Sequence, residues 1–323
     1  MAGWRLHLEI RACDPLPRGS TRLVIEDPVT SPARRRFSAG DGIAISALDW
    51  GGDRPIALMH HANGMCAATW TLVAEALAND YRVVAVDARG HGDSSAPAAP
   101  DGYPMQAFVD DLAAVARALR AETGRPRIAY GIGNSFGGIV TAAAEALHGE
   151  LFERIAMLDP PIHPDEQLRA RLDPSGGIVD PRPMIAAQAR RRTAIWPSRD
   201  TARAAWADKP MFARWRPRAL DLYLAEGFRD RTDGRVELKC APDVEATIFA
   251  SSGDLDIYAL APRVRAPVLL VRAARGNLPV QAFDHLATLL PDCTSIAPDL
   301  GHLMPLEDPE RTVELLRDFA QRR

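Results

Sequence analysis

Ser135 sits in the run Gly133-Asn134-Ser135-Phe136-Gly137-Gly138, between an apolar strand pattern at Ile128 to Ile132 and a helical pattern at Gly137 to Leu147. A serine on a sharp strand-to-helix turn needs small neighbours, because the strained backbone brings flanking residues together. Both flanking positions are glycine. The following helix offers unpaired amides and the positive end of its dipole to negative charge developing at Ser135. That is the setting of a hydroxyl attacking an acyl carbon. A hydroxyl is a poor nucleophile until a base takes its proton, so a histidine is required. His302, in Asp299-Leu300-Gly301-His302-Leu303-Met304-Pro305, follows the last strand pattern and precedes the last helix. This puts it on a loop at the carboxyl edge of a sheet, the edge that also carries Ser135. His7, His148, His163 and His285 have no comparable context.

Acyl transfer passes through an oxyanion, which needs two preorganised donors. The Phe136 amide is predicted to be one. The other is expected from His60-His61-Ala62-Asn63-Gly64-Met65, where Gly64 allows close approach and the Met65 amide is favoured. Asn63, Gly64 and Asn134 are predicted to touch substrate, with Met65 and Phe136 lining an apolar acyl pocket. His60 and His61 are adjacent and lack a carboxylate at metal spacing, so they read as loop-shaping residues, and neither metal nor cofactor is expected.

Elements of alternating type must hold these loops. Two strand-like runs between Phe37 and Trp50 flank a turn at Gly40-Asp41-Gly42 and predict an opening hairpin. Strand patterns then recur at Pro55 to Met59, Tyr81 to Val86, Ile128 to Ile132, Ile155 to Leu158, Pro267 to Val271 and Thr294 to Ala297. Helical patterns separate them, at Thr69 to Ala78, Met105 to Arg120, Gly137 to Leu147 and Gln281 to Leu290, and one at Pro309 to Arg322 closes the chain. This alternation predicts an α/β fold with a mostly parallel sheet covered by helices on both faces. The rhythm breaks over residues 161–250, which contain no strand-length apolar run and carry helical segments at Arg190 to Trp196, Thr201 to Trp206 and Met211 to Phe228. The expected organisation is an N-terminal extension (1–36), a core (37–160 and 251–323) and a helical cap (161–250). In the cap, Trp196 and Trp215 are the candidates to contact substrate. Together with Trp206, Tyr223, Phe228, Arg191, Arg192, Arg214 and Arg218 they would grip an aromatic or carboxylate-bearing molecule. In the other reading, the aromatics pack the cap on the core and the arginines are solvated or ion-paired.

The 323 residues are 47% hydrophobic and 25% charged with a net charge of −3, which allows a large core and gives no electrostatic footprint for nucleic acid or an anionic membrane. A small-molecule substrate is the expected partner. Cys13, Cys66, Cys240 and Cys293 are widely spaced, and no secretory signal or bilayer-length apolar run is apparent, so a cytoplasmic protein with reduced thiols is expected.

Four segments in this order resemble the α/β-hydrolase superfamily: His60 to Trp70, Asp87-Ala88-Arg89-Gly90-His91-Gly92-Asp93-Ser94, Gly133 to Gly138, and Gly301-His302 followed by Glu307-Asp308-Pro309. The resemblance spans roughly residues 38–323. It implies an eight-stranded sheet, a cap inserted after the sixth strand, and cofactor-free hydrolysis by a serine, a histidine and an acid. It also implies that Arg89, His91 and Asp93 stabilise the fold. The sequence departs from the family after the penultimate strand, where the acid is commonly found: it reads Arg272-Ala273-Ala274-Arg275-Gly276-Asn277, with no carboxylate. Asp159, directly after the strand ending at Leu158, is the best substitute, with Asp254, Asp256 and Asn277 as alternatives. The expected activity is hydrolysis of a carboxylic ester or related acyl bond through an acyl-enzyme. Carbon-carbon bond hydrolysis of a vinylogous diketone acid and a non-catalytic ligand receptor are the alternatives.

Overall fold

The computed structural model describes residues 31–164, 166–172 and 180–322. Residues 1–30 of the expected extension lie outside these. The opening hairpin is β1 (Ala33–Gly40) and β2 (Ile43–Asp49), so Arg34 to Arg36 form part of the sheet. There follow β3 (Ile56–His60), α1 (Thr71–Leu77), β4 (Arg82–Val86), α2 (Met105–Thr123), β5 (Tyr130–Asn134), α3 (Phe136–His148) and β6 (Ile155–Leu158). The eight-stranded sheet is completed by Val268–Val271 and Cys293–Ile296 near the C-terminus, in the order β1, β2, β4, β3, β5, β6 and then these two strands. β2 runs antiparallel to both its neighbours and every other pairing is parallel.

Burial explains these elements. All residues of β3, β5, β6 and the Val268–Val271 strand are buried, as a parallel sheet covered on both faces requires. Alternate residues enter opposite layers: Ile56, Leu58, Val84 and Val86 pack with α2 and α3, and Ala57, Met59, Val83 and Ala85 pack with α1 and the C-terminal helix. Along α2, Met105, Phe108, Val109, Leu112, Val115, Ala116 and Leu119 form the buried stripe of an amphipathic helix. β5 lies two residues later than the apolar run suggested, because Gly131 and Gly133 belong to the strand while Ile128 makes only an isolated bridge to Phe152.

Between β6 and the Val268–Val271 strand lie α4 (Glu166–Leu172), α5 (Arg182–Arg190), β7 (Ile195–Trp196), α6 (Arg199–Trp206), α7 (Pro217–Glu226), β8 (Phe228–Asp230), β9 (Val236–Leu238), α8 (Pro242–Ser251) and α9 (Ile257–Leu260). This insertion is not wholly helical as expected. β7, β9 and β8 make a small antiparallel sheet, and strands this short leave no apolar run to read. The last strands and helices are β10 (Val268–Val271), α10 (Val280–Leu289), β11 (Cys293–Ile296), α11 (Met304–Glu307) and α12 (Pro309–Ala320). Among the described residues no helix is long and apolar enough to cross a membrane.

The order of strands fixes where a site can form. From β3 the chain crosses first to β4 on one side and then to β5 on the other, so the loops leaving β3 and β5 diverge and open a crevice at the carboxyl edge.

Candidate active site

Ser135 leaves β5 at that crevice with φ +54°, a left-handed backbone costing about 1–3 kcal/mol for a residue with a side chain. The turn is tied down on both sides: the Ser135 amide donates to the Leu158 carbonyl (2.8 Å) and its carbonyl accepts from the Gly138 amide (2.9 Å). The flanking glycines are demanded by contact, since a Cβ on Gly133 would overlap the Gly137 backbone and one on Gly137 would overlap the His60 carbonyl. As the first residue of α3, Phe136 presents an amide with no partner among the described residues.

Register brings the acid alongside. Asn134 pairs with Leu158, and Leu158 with Val271, so Ser135 and Asp159 emerge at the same level from adjacent strands. Asp159 is fully buried, with φ +46°. Its amide donates to the Val271 carbonyl (2.7 Å) and its Oδ1 accepts from the Ala273 amide (2.7 Å). Its Oδ2 accepts from His302 Nδ1 at 2.6 Å. That bond places the ring proton on Nδ1 and leaves Nε2, 2.9 Å from Ser135 Oγ, to accept the hydroxyl proton. The imidazole is 40% exposed and the carboxylate 0%, so the ring reaches the cavity while its partner is shut off from water. The structure therefore brings Ser135, His302 and Asp159 into one line. It leaves the other acid candidates out: Asp256 caps α9, accepting from the Tyr258 and Ala259 amides, Asp254 is exposed, and Asn277 only lines the cavity.

Several other expectations are corrected. The Met65 amide closes a turn onto the Ala62 carbonyl (3.0 Å) and is not free to hold an oxyanion, nor does Met65 line the cavity above Ser135. Within this loop the His61, Ala62 and Asn63 amides have no partner among the described residues. Asn134 is not among the residues that line the cavity: its Nδ2 donates to the carbonyls of Leu158 (2.9 Å) and His302 (3.0 Å), pinning the serine turn to the histidine loop. Gly64 lies under the insertion, its carbonyl accepting from Tyr223 Oη (2.8 Å) and its amide donating to His91 Nε2 (3.0 Å). Asn63 does line the cavity, while its Nδ2 donates to the Glu245 carbonyl (2.9 Å).

Trp215 likewise does not line the cavity: it is buried against Phe212 and Tyr223 (centroids 4.8 and 5.7 Å), in a cluster where Trp206 stacks on Phe212 at 4.6 Å. Trp196 packs edge-on against Trp206 and borders a different cleft, with Arg191 and Lys209. These rings pack the insertion, and two of the singled-out arginines are paired, Arg218 with Glu75 (2.6 and 2.5 Å) and Arg192 with Glu245. Arg192 also donates to Tyr223 Oη (3.3 Å). Burial pushes the Tyr223 phenol up to about 12, so it stays protonated and donates to Gly64.

The cavity over Ser135 and His302 encloses about 640 Å³. Phe136, Ile185, Ile248, Phe249 and Leu278 make much of its wall apolar. His163, Arg169, Asp180 and Arg182 also line it, and sequence reasoning missed the last three; no run or motif marks them, and only the fold of the insertion over the crevice selects them. No group of three His, Cys, Asp or Glu among the described residues is placed to hold a metal ion.

Three histidines below the site are held neutral by burial. Desolvation lowers His60 and His91 to about 4 and His61 well below its ordinary 6.5. His61 Nε2 accepts from the Ala88 amide (3.0 Å), as His91 Nε2 does from Gly64, and both bonds require the neutral ring. The folded values lie below the unfolded one, so the unfolded chain takes up protons first as pH falls. Stability is therefore full above pH 6.5 and declines toward pH 4, by up to about 3 kcal/mol for each of His60 and His91. Urea midpoints measured at pH 7 and pH 4.5 are expected to show a substantial drop at the lower pH.

A hydroxyl, an imidazole and a buried carboxylate in line, with an unpaired helix-terminal amide beside the hydroxyl, is an arrangement able to attack a carbonyl and hold the resulting oxyanion. Comparisons with known proteins agree with this architecture. N-formylmaleamate deformylase from Pseudomonas putida is 26% identical over 290 residues, covering 87% of this chain and 94% of that protein. A 2-hydroxymuconate semialdehyde hydrolase from a Pseudomonas species is 34% identical over 133 residues, 41% of this chain and 45% of its own length. The solved structure of E-2-(acetamidomethylene)succinate hydrolase shares the fold, with a TM-score of 0.75 at 21% identity, over 90% of this chain and all of that one. A model of the alpha/beta hydrolase family matches residues 57–315, so the chain belongs to that family.

Proposed function

We propose that this protein is a serine hydrolase that cleaves a carboxylic ester, or a chemically related acyl bond, of a small molecule through an acyl-enzyme. The observation that carries the reading is the hydrogen-bonded line from Ser135 through His302 to Asp159, opening into a largely apolar cavity. Ser135 Oγ attacks the carbonyl carbon as His302 Nε2 takes its proton, and Asp159 stabilises the imidazolium that forms. The Phe136 amide and an amide of Ala62 or Asn63 hold the oxyanion. The imidazolium returns the proton to the leaving group as the carbon-oxygen bond breaks. Water, deprotonated by His302, then releases the acid. The insertion over residues 161–250 acts as a cap, and through Tyr223, Arg192 and Glu245 it also holds the oxyanion loop. The described cysteines Cys66, Cys240 and Cys293 are free, which suits a reducing cytoplasm.

A fluorophosphonate probe tests the nucleophile: the adduct is expected on the Ser135 peptide and absent from Ser135→Ala. An unlabelled wild-type protein would rule the assignment out. Tyr223→Phe, which removes the donor to the Gly64 carbonyl, is expected to lower stability by about 1–2 kcal/mol and kcat several-fold with little change in KM. Chemical denaturation and ester kinetics check the two effects separately.

A second reading, carbon-carbon bond hydrolysis, is favoured by the Gly-Asn-Ser-Phe-Gly-Gly run and by the 2-hydroxymuconate semialdehyde hydrolase match. Loss of a dienolate chromophore on mixing would support it over ester cleavage.

A further inference from the structure

Among the described residues, the charges that line the cavity do not balance. Asp180 grips Arg182 with both oxygens, Nε donating at 2.9 and 2.8 Å, and this pairing pulls the Asp180 carboxyl down to about 2. The two therefore cancel. Arg169, on α4, also lines the cavity, and its Nε donates to the Pro164 carbonyl (2.8 Å). Among the described residues no carboxylate pairs with it, and neither terminal nitrogen of its guanidinium has a partner there. Its neighbour His163 adds no counter-charge: burial and the nearby Arg182 and Arg169 hold the imidazole below its ordinary value, hence neutral. Among the described residues, then, this cation faces a chamber walled largely by apolar side chains with no counter-charge, where a charge without a partner is costly and a charged hydrogen bond is strong. A planar guanidinium with two free nitrogens matches the two oxygens of a carboxylate.

We propose that the molecule cleaved at Ser135 carries a carboxylate away from its scissile acyl bond, and that the Arg169 guanidinium receives it. This rests on the serine hydrolase reading and specifies its substrates as anionic acyl compounds. Arg169 acts in binding and selectivity, and takes no part in the bond-breaking steps.

The test compares two 4-nitrophenyl esters with acyl chains of equal carbon number, the hydrogen glutarate and the pentanoate. Wild-type protein is expected to favour the charged ester by about ten- to hundredfold in kcat/KM, mostly through KM. In Arg169→Ala that ratio should fall to near one, and Arg169→Lys should recover part of it. Turnover of both esters with no preference, or a preference that survives Arg169→Ala, would overturn the inference while leaving the nucleophile assignment intact. A titration of glutarate into Ser135→Ala protein, followed by calorimetry, needs no catalysis. Binding there that is lost on adding Arg169→Ala supports the anion site even if neither ester is cleaved. Absent or unchanged binding counts against it. Failure of fluorophosphonate labelling would instead strike the serine hydrolase reading.

Discussion

Replacing Ser135 by alanine is expected to lower kcat on a 4-nitrophenyl ester by about 10⁴- to 10⁶-fold, with the folded protein and its cavity preserved. The size follows from what remains. Without Oγ there is no atom to bond the carbonyl carbon, and the Phe136 amide can stabilise only whatever attack water manages unaided. The hydroxyl makes one side-chain hydrogen bond, to His302 Nε2 at 2.9 Å, and the methyl that replaces it fits the same space, so the melting temperature should change little. Near-wild-type turnover by this variant would mean that the chemistry runs elsewhere.

Asp159→Asn carries the second-largest expected effect, about 10⁴-fold in kcat. The carboxylate accepts two hydrogen bonds, from the Ala273 amide and from His302 Nδ1. An asparagine has a single oxygen, so in either orientation its NH₂ group faces a donor. Turned toward His302, it forces the ring proton onto Nε2, and the imidazole can no longer accept from Ser135. Turned toward Ala273, it leaves a buried amide unpaired and costs about 1–3 kcal/mol of stability. Kinetics together with denaturation separate the two outcomes. A variant with kcat within tenfold of wild type and unchanged stability would return the third position to another residue.

The sheet was legible in the sequence because its signal is strong and local. Ile155–Leu158 and Val268–Val271 are short apolar runs bounded by polar turns, and they pair side by side. Ser135 and His302 were legible for a different reason: a strained elbow needs Gly133 and Gly137, and few histidines fall on the correct edge of such a sheet. Asp159 could be chosen over Asp254, Asp256 and Asn277 only by assuming that a strand end is where the acid belongs, and register supplies the reason. What could not be read depends on where side chains turn. Asn134 and Met65 sit next to the chemistry in sequence, yet their polar groups are committed to Leu158, His302 and Ala62. Trp196 and Trp215 are of types common at binding surfaces, but the Trp215 ring is buried in the insertion's own core and the Trp196 ring packs on that core beside a different cleft. Arg169 and Arg182 carry no local mark, and reach the cavity only because α4 and α5 fold over it.

The Ala273 amide, at the start of the loop after β10, donates to an aspartate carried by the neighbouring strand. A carboxylate in that loop, paired with His302, would tie its backbone to the imidazole and leave few positions free to vary. Here the segment from Arg275 to Gln281 is released from that duty, and Asn277, Leu278, Pro279 and Gln281 all face the chamber. Exchanging residues along it should retune which molecules are accepted while the bonds from Ser135 through His302 to Asp159 stay intact, making this short stretch a natural place to redirect the protein toward new substrates.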